Sequence, residues 1–306
     1  MNEIQETEKR IKREVYLKDY KGQDRVVHAE EKKREIDEQR AFTPAFRATT
    51  GIQMLDECVD GFRRGQLIVV SGPPKNGKTA FCQTLTKTFT SQGKKCLWFS
   101  YEVGYEELFE KFPMENLDFY VPNYMESGNV EWVEEKVIES KIKHGTEIVF
   151  IDNLDFLRDT AILKGMGLNL SAYIGSIVQK IKRIAVEQQV VIFLMSHIRK
   201  NKWTTNELPD SEELRDSGQI AQLADIVLMM VRARVDKRVD DPESVYLGNL
   251  AILGVMENRH NGKTKRMHLT FNDKMFSETP KDEYYKLKES YDGKNEAGSR
   301  SSAGNW

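Results

Sequence analysis

The chain changes texture once, near its start. Through residue 42 apolar residues are sparse and charges alternate in sign, with Ile4, Ile11 and Val15 on one helical face. Such a segment cannot bury a core. It predicts a solvated helix or a disordered arm, or an arm that orders by docking on another subunit. From Thr43 onward, apolar runs of strand length alternate with segments of helix length. Strands are expected at Leu67–Ser71, Cys96–Tyr101, Ile148–Asp152, Val190–Ser196, Ile226–Arg232, Leu250–Glu257 and Met267–Phe271. Helices are expected at Thr79–Gln92, Asn129–Lys143, Ala172–Gln188 and Ser217–Leu223. This alternation predicts an α/β fold, a mostly parallel twisted sheet with helices on both faces. No helix separates the last two strands, and Asn261-Gly262 lies in their connection, so they are expected to close the sheet as a β-hairpin. Residues 281–306 drift into Lys, Glu, Gly and Ser, which predicts a disordered tail. The expected organisation is a charged arm at 1–42, one domain at 43–280 and the tail at 281–306.

Composition narrows this picture a little. The chain of 306 residues suits one large α/β domain with appendages. Its 46 basic and 48 acidic residues nearly cancel, so any nucleic-acid surface must be local. The longest apolar runs, Val190–Met195 and Ile226–Val231, are too short to cross a bilayer. The start, Met1-Asn2-Glu3-Ile4-Gln5-Glu6, lacks the apolar core of a secretion signal, and a cytoplasmic protein is expected. Cys58, Cys82 and Cys96 show neither metal-site nor disulfide spacing, which points to a reducing compartment and no zinc.

The chemistry is announced by Gly72-Pro73-Pro74-Lys75-Asn76-Gly77-Lys78-Thr79, which fills the pattern G-x-x-x-x-G-K-[ST]. An expected strand precedes it and an expected helix follows. That context aims backbone N–H groups at one spot and adds the positive end of a helix dipole, so it binds phosphate. Lys78 is expected to reach the β- and γ-phosphates of a nucleoside triphosphate and Thr79 to hold Mg²⁺ through its hydroxyl. Glu147–Asp152 is an apolar strand ending in a carboxylate, about 70 residues beyond the loop. Asp152 is therefore the second expected Mg²⁺ residue.

Hydrolysis also needs a group that positions or activates water. Asn153 follows Asp152, so no adjacent acid serves. Glu102, just past the strand Cys96–Tyr101, points at the γ-phosphate if that strand neighbours the phosphate-loop strand; a solvated Glu capping the strand is the other reading. Asp155 is the reserve. His197 ends another apolar strand and is placed to sense the γ-phosphate. Beyond it Arg199, Lys200, Lys202 and Trp203 combine charge with a ring for stacking, as in a loop that contacts single-stranded nucleic acid; an exposed polar loop is the plainer reading.

Taken in order, these blocks resemble the RecA-like helicase domain of the DnaB family of hexameric replicative helicases. The spacing is also similar to the helicase half of phage primase–helicases and the Twinkle branch. The resemblance spans roughly Thr49 to Ser277. It rests on Gly72–Thr79, Ser100-Tyr101-Glu102, Phe150-Ile151-Asp152-Asn153, Ser196-His197-Ile198-Arg199, and Leu214-Arg215-Asp216-Ser217-Gly218 running on to Gln222-Leu223-Ala224-Asp225, with Asn258-Arg259-His260-Asn261-Gly262 as a late arginine motif. It implies that Glu102 is the catalytic glutamate and His197 the γ-phosphate sensor. It implies that Arg215, Asp216 and Gly218 hold DNA in a central channel, and that Arg259 is a finger reaching the neighbouring subunit's ATP.

Two departures stand out. The family usually has Lys two residues before the finger, where this chain has Glu257, so Lys263 or Lys265 must substitute or hydrolysis is slow. About 45 residues precede the core, so a primase, polymerase or loader is expected as a separate protein. The implied activity is an ATP-dependent, ring-forming motor, a homo-oligomer of hexamer type. It translocates 5′ to 3′ on single-stranded DNA during replication, in a bacterial or phage-infected cell. The alternative is a non-helicase ATPase of RecA or KaiC type, acting in recombination or regulation. A kinase is disfavoured because no lid of clustered arginines is evident.

Overall fold

Apolar, β-branched and aromatic residues fill the strands β1 (Leu67–Gly72), β2 (Cys96–Ser100), β3 (Ile148–Asp152), β4 (Val191–His197) and β5 (Ile226–Asp236). The first four are buried on both faces apart from half-buried His197 at the end of β4. The computed structural model describes residues 2–22, 25–42, 46–126, 128–158, 170–197, 208, 218–236 and 245–289. Three further strands, β6 (Val245–Asn258), β7 (Lys265–Asn272) and β8 (Met275–Glu278), complete an eight-stranded sheet of order β2-β3-β4-β1-β5-β6-β7-β8. Pairing is parallel from β2 to β5 and antiparallel from β5 to β8. The expected hairpin is the β6–β7 pair, and Gly262 takes φ 70° in its connection. The antiparallel part is larger than the sequence implied, because β5 and β6 also pair antiparallel and β8 was not anticipated.

The helices are α1 (Asn2–Lys18), α2 (Ala29–Phe42), α3 (Gln53–Val59), α4 (Lys78–Ser91), α5 (Tyr105–Glu110), α6 (Val130–His144), α7 (Leu170–Gln188), α8 (Gly218–Leu223) and α9 (residues 281–289). Alternation along the strands sends one set of side chains to each face. Leu67, Val69, Leu97, Phe99, Val149, Ile151, Ile192 and Leu194 pack with Val133 and Val137 of α6 and Ile177, Ile181 and Ile184 of α7. On the other face Trp98, Phe150 and Phe193 stack, and Phe89 of α4 joins them. Trp98 Nε1 donates to Thr86 Oγ1 at 2.8 Å, so the buried indole is satisfied.

Two units divide at Phe46/Arg47. In the first, α1 and α2 are charged helices, none of the described side chains is buried, and Ile11, Val15 and Leu17 are exposed. The second holds the sheet. Its end departs from the expected tail. Residues 281–289 form α9, and Tyr284, 2 % exposed, packs against Ala233 and Leu250. The surrounding Lys and Glu hid an i, i+3 apolar pair, Tyr284 and Leu287. Residues 290–306 lie outside the described residues. No helix among the described residues is long and apolar enough to cross a membrane.

Candidate active site

β1 must end in glycine. Gly72 takes φ 151°, and a Cβ there would stand 2.2 Å from the Met230 carbonyl oxygen of β5. The chain turns through Pro73, Pro74, Lys75 (φ 62°), Asn76 and Gly77 (φ 87°) and enters α4 at Lys78. No side chain caps the start of α4, so its first N–H groups remain available to an anion. Asn76 fastens the loop: its Nδ2 donates to the Pro74 carbonyl at 2.9 Å, and its Oδ1 accepts the Arg232 N–H at 2.9 Å.

Lys78 is 5 % exposed. Its ammonium donates to the Gly72 and Pro73 carbonyls, each at 3.0 Å, and lies 3.0 Å from His197 Nδ1. Burial lowers its pKa to about 8, against the opposing pull of Asp152 and Glu102. Thr79 Oγ1 donates to Asp152 Oδ2 at 2.6 Å. Burial raises the Asp152 carboxyl to about 6, with the Thr79 bond opposing. A hydroxyl and a desolvated carboxylate aimed at one point fit a divalent cation. Among the described residues no cluster of three or more His, Cys, Asp or Glu could hold a metal, so such an ion takes its remaining ligands from phosphate and water.

Glu102 reaches this site by a route the sequence did not suggest. β2 does not neighbour β1: β3 and β4 lie between them, three strand spacings or about 14 Å in all. The gap closes because Tyr101 and Glu102 both donate their N–H to the Asp152 carbonyl, at 2.7 and 3.2 Å, which draws the chain inward over β3. The Glu102 carboxylate accepts from Asn153 Nδ2 at 2.6 Å and lies 3.4 Å from His197 Nε2. His197 stands opposite Gly72 in the β1–β4 register, and burial and Lys78 together lower its pKa. Asp155 is engaged elsewhere: its carboxylate pairs with Arg158, which leaves Glu102 the better placed.

Arg259 lies at the other end of the sheet. Its N–H donates to the Asp225 carbonyl at 2.9 Å, its guanidinium donates to the Gln222 carbonyl, and Asp225 in turn accepts the Leu67 N–H at the start of β1. Of the expected DNA contacts, Arg199, Lys200, Lys202, Arg215 and Asp216 lie outside the described residues, and Gly218 opens α8.

Sequence reasoning missed Asn153, Arg232 and Phe271. Asn153 was passed over for want of an acid. Arg232 lies on β5, three residues beyond the Ser71↔Met229 pair, and its guanidinium carbon sits 5.1 Å from the Phe271 ring centroid. Parallel pairing with β1 was the available signal, because it carries the end of β5 to the phosphate-loop edge.

The family model described as DnaB-like helicase C terminal domain matches residues 48–135 and 112–278. The chain belongs to this family. Among curated relatives, this DnaB-like domain is 23% identical over 256 residues to the replicative DNA helicase DnaB of Mycoplasma genitalium, covering 73% of this chain and 54% of that protein. It is 24% identical over 255 residues to the replicative DNA helicase DnaC of Bacillus subtilis, covering 72% and 54%. The chain thus spans about half the length of the curated relatives it matches. Among solved structures, the ATPase domain of a DnaB-like phage helicase superimposes with a TM-score of 0.65 at 19% identity, over 83% of this chain and all of that one. A DnaB-like replicative helicase studied with primase gives 0.64 at 20% identity, over 85% and 69%. The DnaB-like domain therefore has the RecA-like α/β fold expected from its sequence.

Proposed function

We propose that this chain is the motor of a ring-forming DNA helicase that hydrolyses ATP to translocate 5′ to 3′ along single-stranded DNA during replication. The observation that carries the reading is the convergence of Lys78, Thr79, Asp152, Glu102 and His197 at one sheet edge, each within hydrogen-bonding or ion-pair reach of another.

The loop from Gly72 to Thr79 cradles the phosphates, and Lys78 exchanges its two loop carbonyls for phosphate oxygens. Thr79 and Asp152 would hold Mg²⁺, which would supply positive charge to neutralise the phosphates. Glu102 orients the attacking water and accepts its proton. His197 faces the γ-phosphate. Arg232 and Phe271 present a planar cation and a ring beside the loop, suited to a nucleobase. Arg259, at the far end of β1, serves a neighbouring subunit.

The cytoplasm, a homo-oligomeric ring of hexamer type, and a separate primase, polymerase or loader belong to the same reading. The primase named with the solved relative supports that partner class. Exposed Glu257, two residues before Arg259, favours a second reading, a regulatory or recombination ATPase of RecA or KaiC type, because a carboxylate there repels a neighbour's phosphates.

The test pairs ATP turnover, with and without oligo(dT), with strand displacement on a forked duplex. DNA-stimulated turnover with displacement is the expected result. Stimulated turnover without displacement selects the second reading, and no turnover at all overturns both.

A further inference from the structure

Asn153 is 1 % exposed and follows directly on Asp152. Its amide has one orientation: Oδ1 accepts the Asp155 N–H at 2.9 Å, capping a 3-10 turn over Leu154–Leu157. Nδ2 therefore faces the site, 2.6 Å from Glu102 Oε2 and 3.0 Å from His197 Nε2. An amide nitrogen has two hydrogens, one for each neighbour.

This arrangement makes His197 contested. A neutral imidazole offers one donor and one acceptor. If Nδ1 accepts from the Lys78 ammonium, Nε2 carries the hydrogen, meets the Asn153 amide donor to donor, and turns toward Glu102. If Nε2 accepts from Asn153, Nδ1 is a donor and is misplaced beside an ammonium 3.0 Å away. Phosphates that draw Lys78 off remove the conflict. Nδ1–H then faces the γ-phosphate, Nε2 accepts from Asn153, and the second amide hydrogen holds Glu102.

We propose that Asn153 is a positioning residue that couples the γ-phosphate-facing His197 to the carboxylate of Glu102, aligning Glu102 for water once His197 has turned to the nucleotide. This deepens the reading of the site given under Proposed function and rests on it.

The competing account is that Asn153 only caps its turn. Asn153→Asp separates the two, because the retained Oδ1 still caps Asp155 while the donor becomes a second carboxylate oxygen. The full chain is assayed for DNA-stimulated turnover and for mant-ATP affinity, with folding followed by circular dichroism. Asn153→Asp is expected to bind mant-ATP as wild type does and to lose about tenfold to a hundredfold in kcat, as expected for a lost hydrogen bond to a charged group. Combined with His197→Ala, it should lose no more than the worse single variant. If Asn153→Asp does not fold, Asn153→Ser, whose hydroxyl caps the turn but cannot span to Glu102, carries the same expectation. Wild-type turnover in the folded variant, or losses that multiply with His197→Ala, overturns the proposal. Glu102→Gln separates the levels. If it is inactive while Asn153→Asp is normal, the coupling alone fails. If it turns over normally, the reading of the site fails.

Discussion

Arg259 cannot serve the phosphate loop of its own chain. The six residues of β1, at about 3.3 Å per step, put Leu67 and Gly72 roughly 17 Å apart. Arg259 is tied through Asp225 to the Leu67 end, and the loop leaves from the Gly72 end. In a head-to-tail ring, each interface joins one subunit's loop to its neighbour's Arg259. Arg259→Ala alone should therefore lose about 10³-fold in turnover, as other arginine fingers do. Lys78→Ala alone should lose as much. When the two are mixed one to one and rings exchange at random, an interface works only if the loop comes from an Arg259→Ala subunit and the finger from a Lys78→Ala subunit. By that mixing rule about one interface in four is whole, so independent interfaces should restore about a quarter of wild-type phosphate release. Native mass spectrometry confirms mixing. A melt of Lys78→Ala is a necessary control, since Lys78 also braces the loop through the Gly72 and Pro73 carbonyls. Normal turnover by Arg259→Ala, or mixed rings without recovery, refutes the trans role.

Other consequences follow from burial. In the metal-free protein Asp152 has a pKa near 6, above its ordinary 3.8. The folded state therefore holds this proton more tightly than the unfolded one, so stability from this group is greatest below pH 4 and is lost as pH rises through 6. Mg²⁺-dependent nucleotide binding runs the other way and should weaken about tenfold per unit below pH 6, measured by mant-ATP titration; a flat profile from 7 to 5 would show that Asp152 does not hold the ion. Tyr284→Ala should cost about 3 kcal/mol in urea unfolding, as removal of a buried ring does. A cost below about 0.5 kcal/mol, ordinary for surface residues, would return α9 to the disordered tail that its charge suggested.

The parallel half of the fold was legible because every strand there is a short, bounded apolar run. The antiparallel half was read less completely. β6 begins Val245-Tyr246-Leu247-Gly248-Asn249, mixed in polarity, and β8 has only four residues. The phosphate loop and Asp152 were legible for a related reason: both are local motifs at strand ends, and parallel pairing carries strand ends to one edge. The premise that β2 neighbours β1 fails, yet the chain still brings the Glu102 carboxylate to Asn153 and His197. No local pattern shows that the Asp152 carbonyl will collect two N–H groups from the end of β2. Asn153 was invisible because its role is relational, set by Glu102 on one side and His197 on the other.

The two sheet edges divide the chemistry between them. One holds the loop and its acid. The other holds a cation whose charge is not spent among the described residues. Asp225, whose backbone carbonyl accepts the Arg259 N–H, already takes Lys182 at 2.5 Å and the Leu67 N–H at 2.7 Å on its carboxylate. The Arg259 guanidinium rests instead on the neutral Gln222 carbonyl and makes no ion pair among the described residues. A cation parked on a carbonyl transfers to phosphate at less cost than one drawn from a carboxylate, because no buried negative charge is left unpaired. Glu257 does not cancel that advantage. It is exposed, as are Lys263, Lys265 and Arg266 across the hairpin, so water screens its repulsion and the neighbouring cations outnumber it. On the proposed reading, Glu257 would weaken a contact with a neighbour's phosphates without removing its basis, which is the charge of Arg259 at the edge its own loop cannot reach.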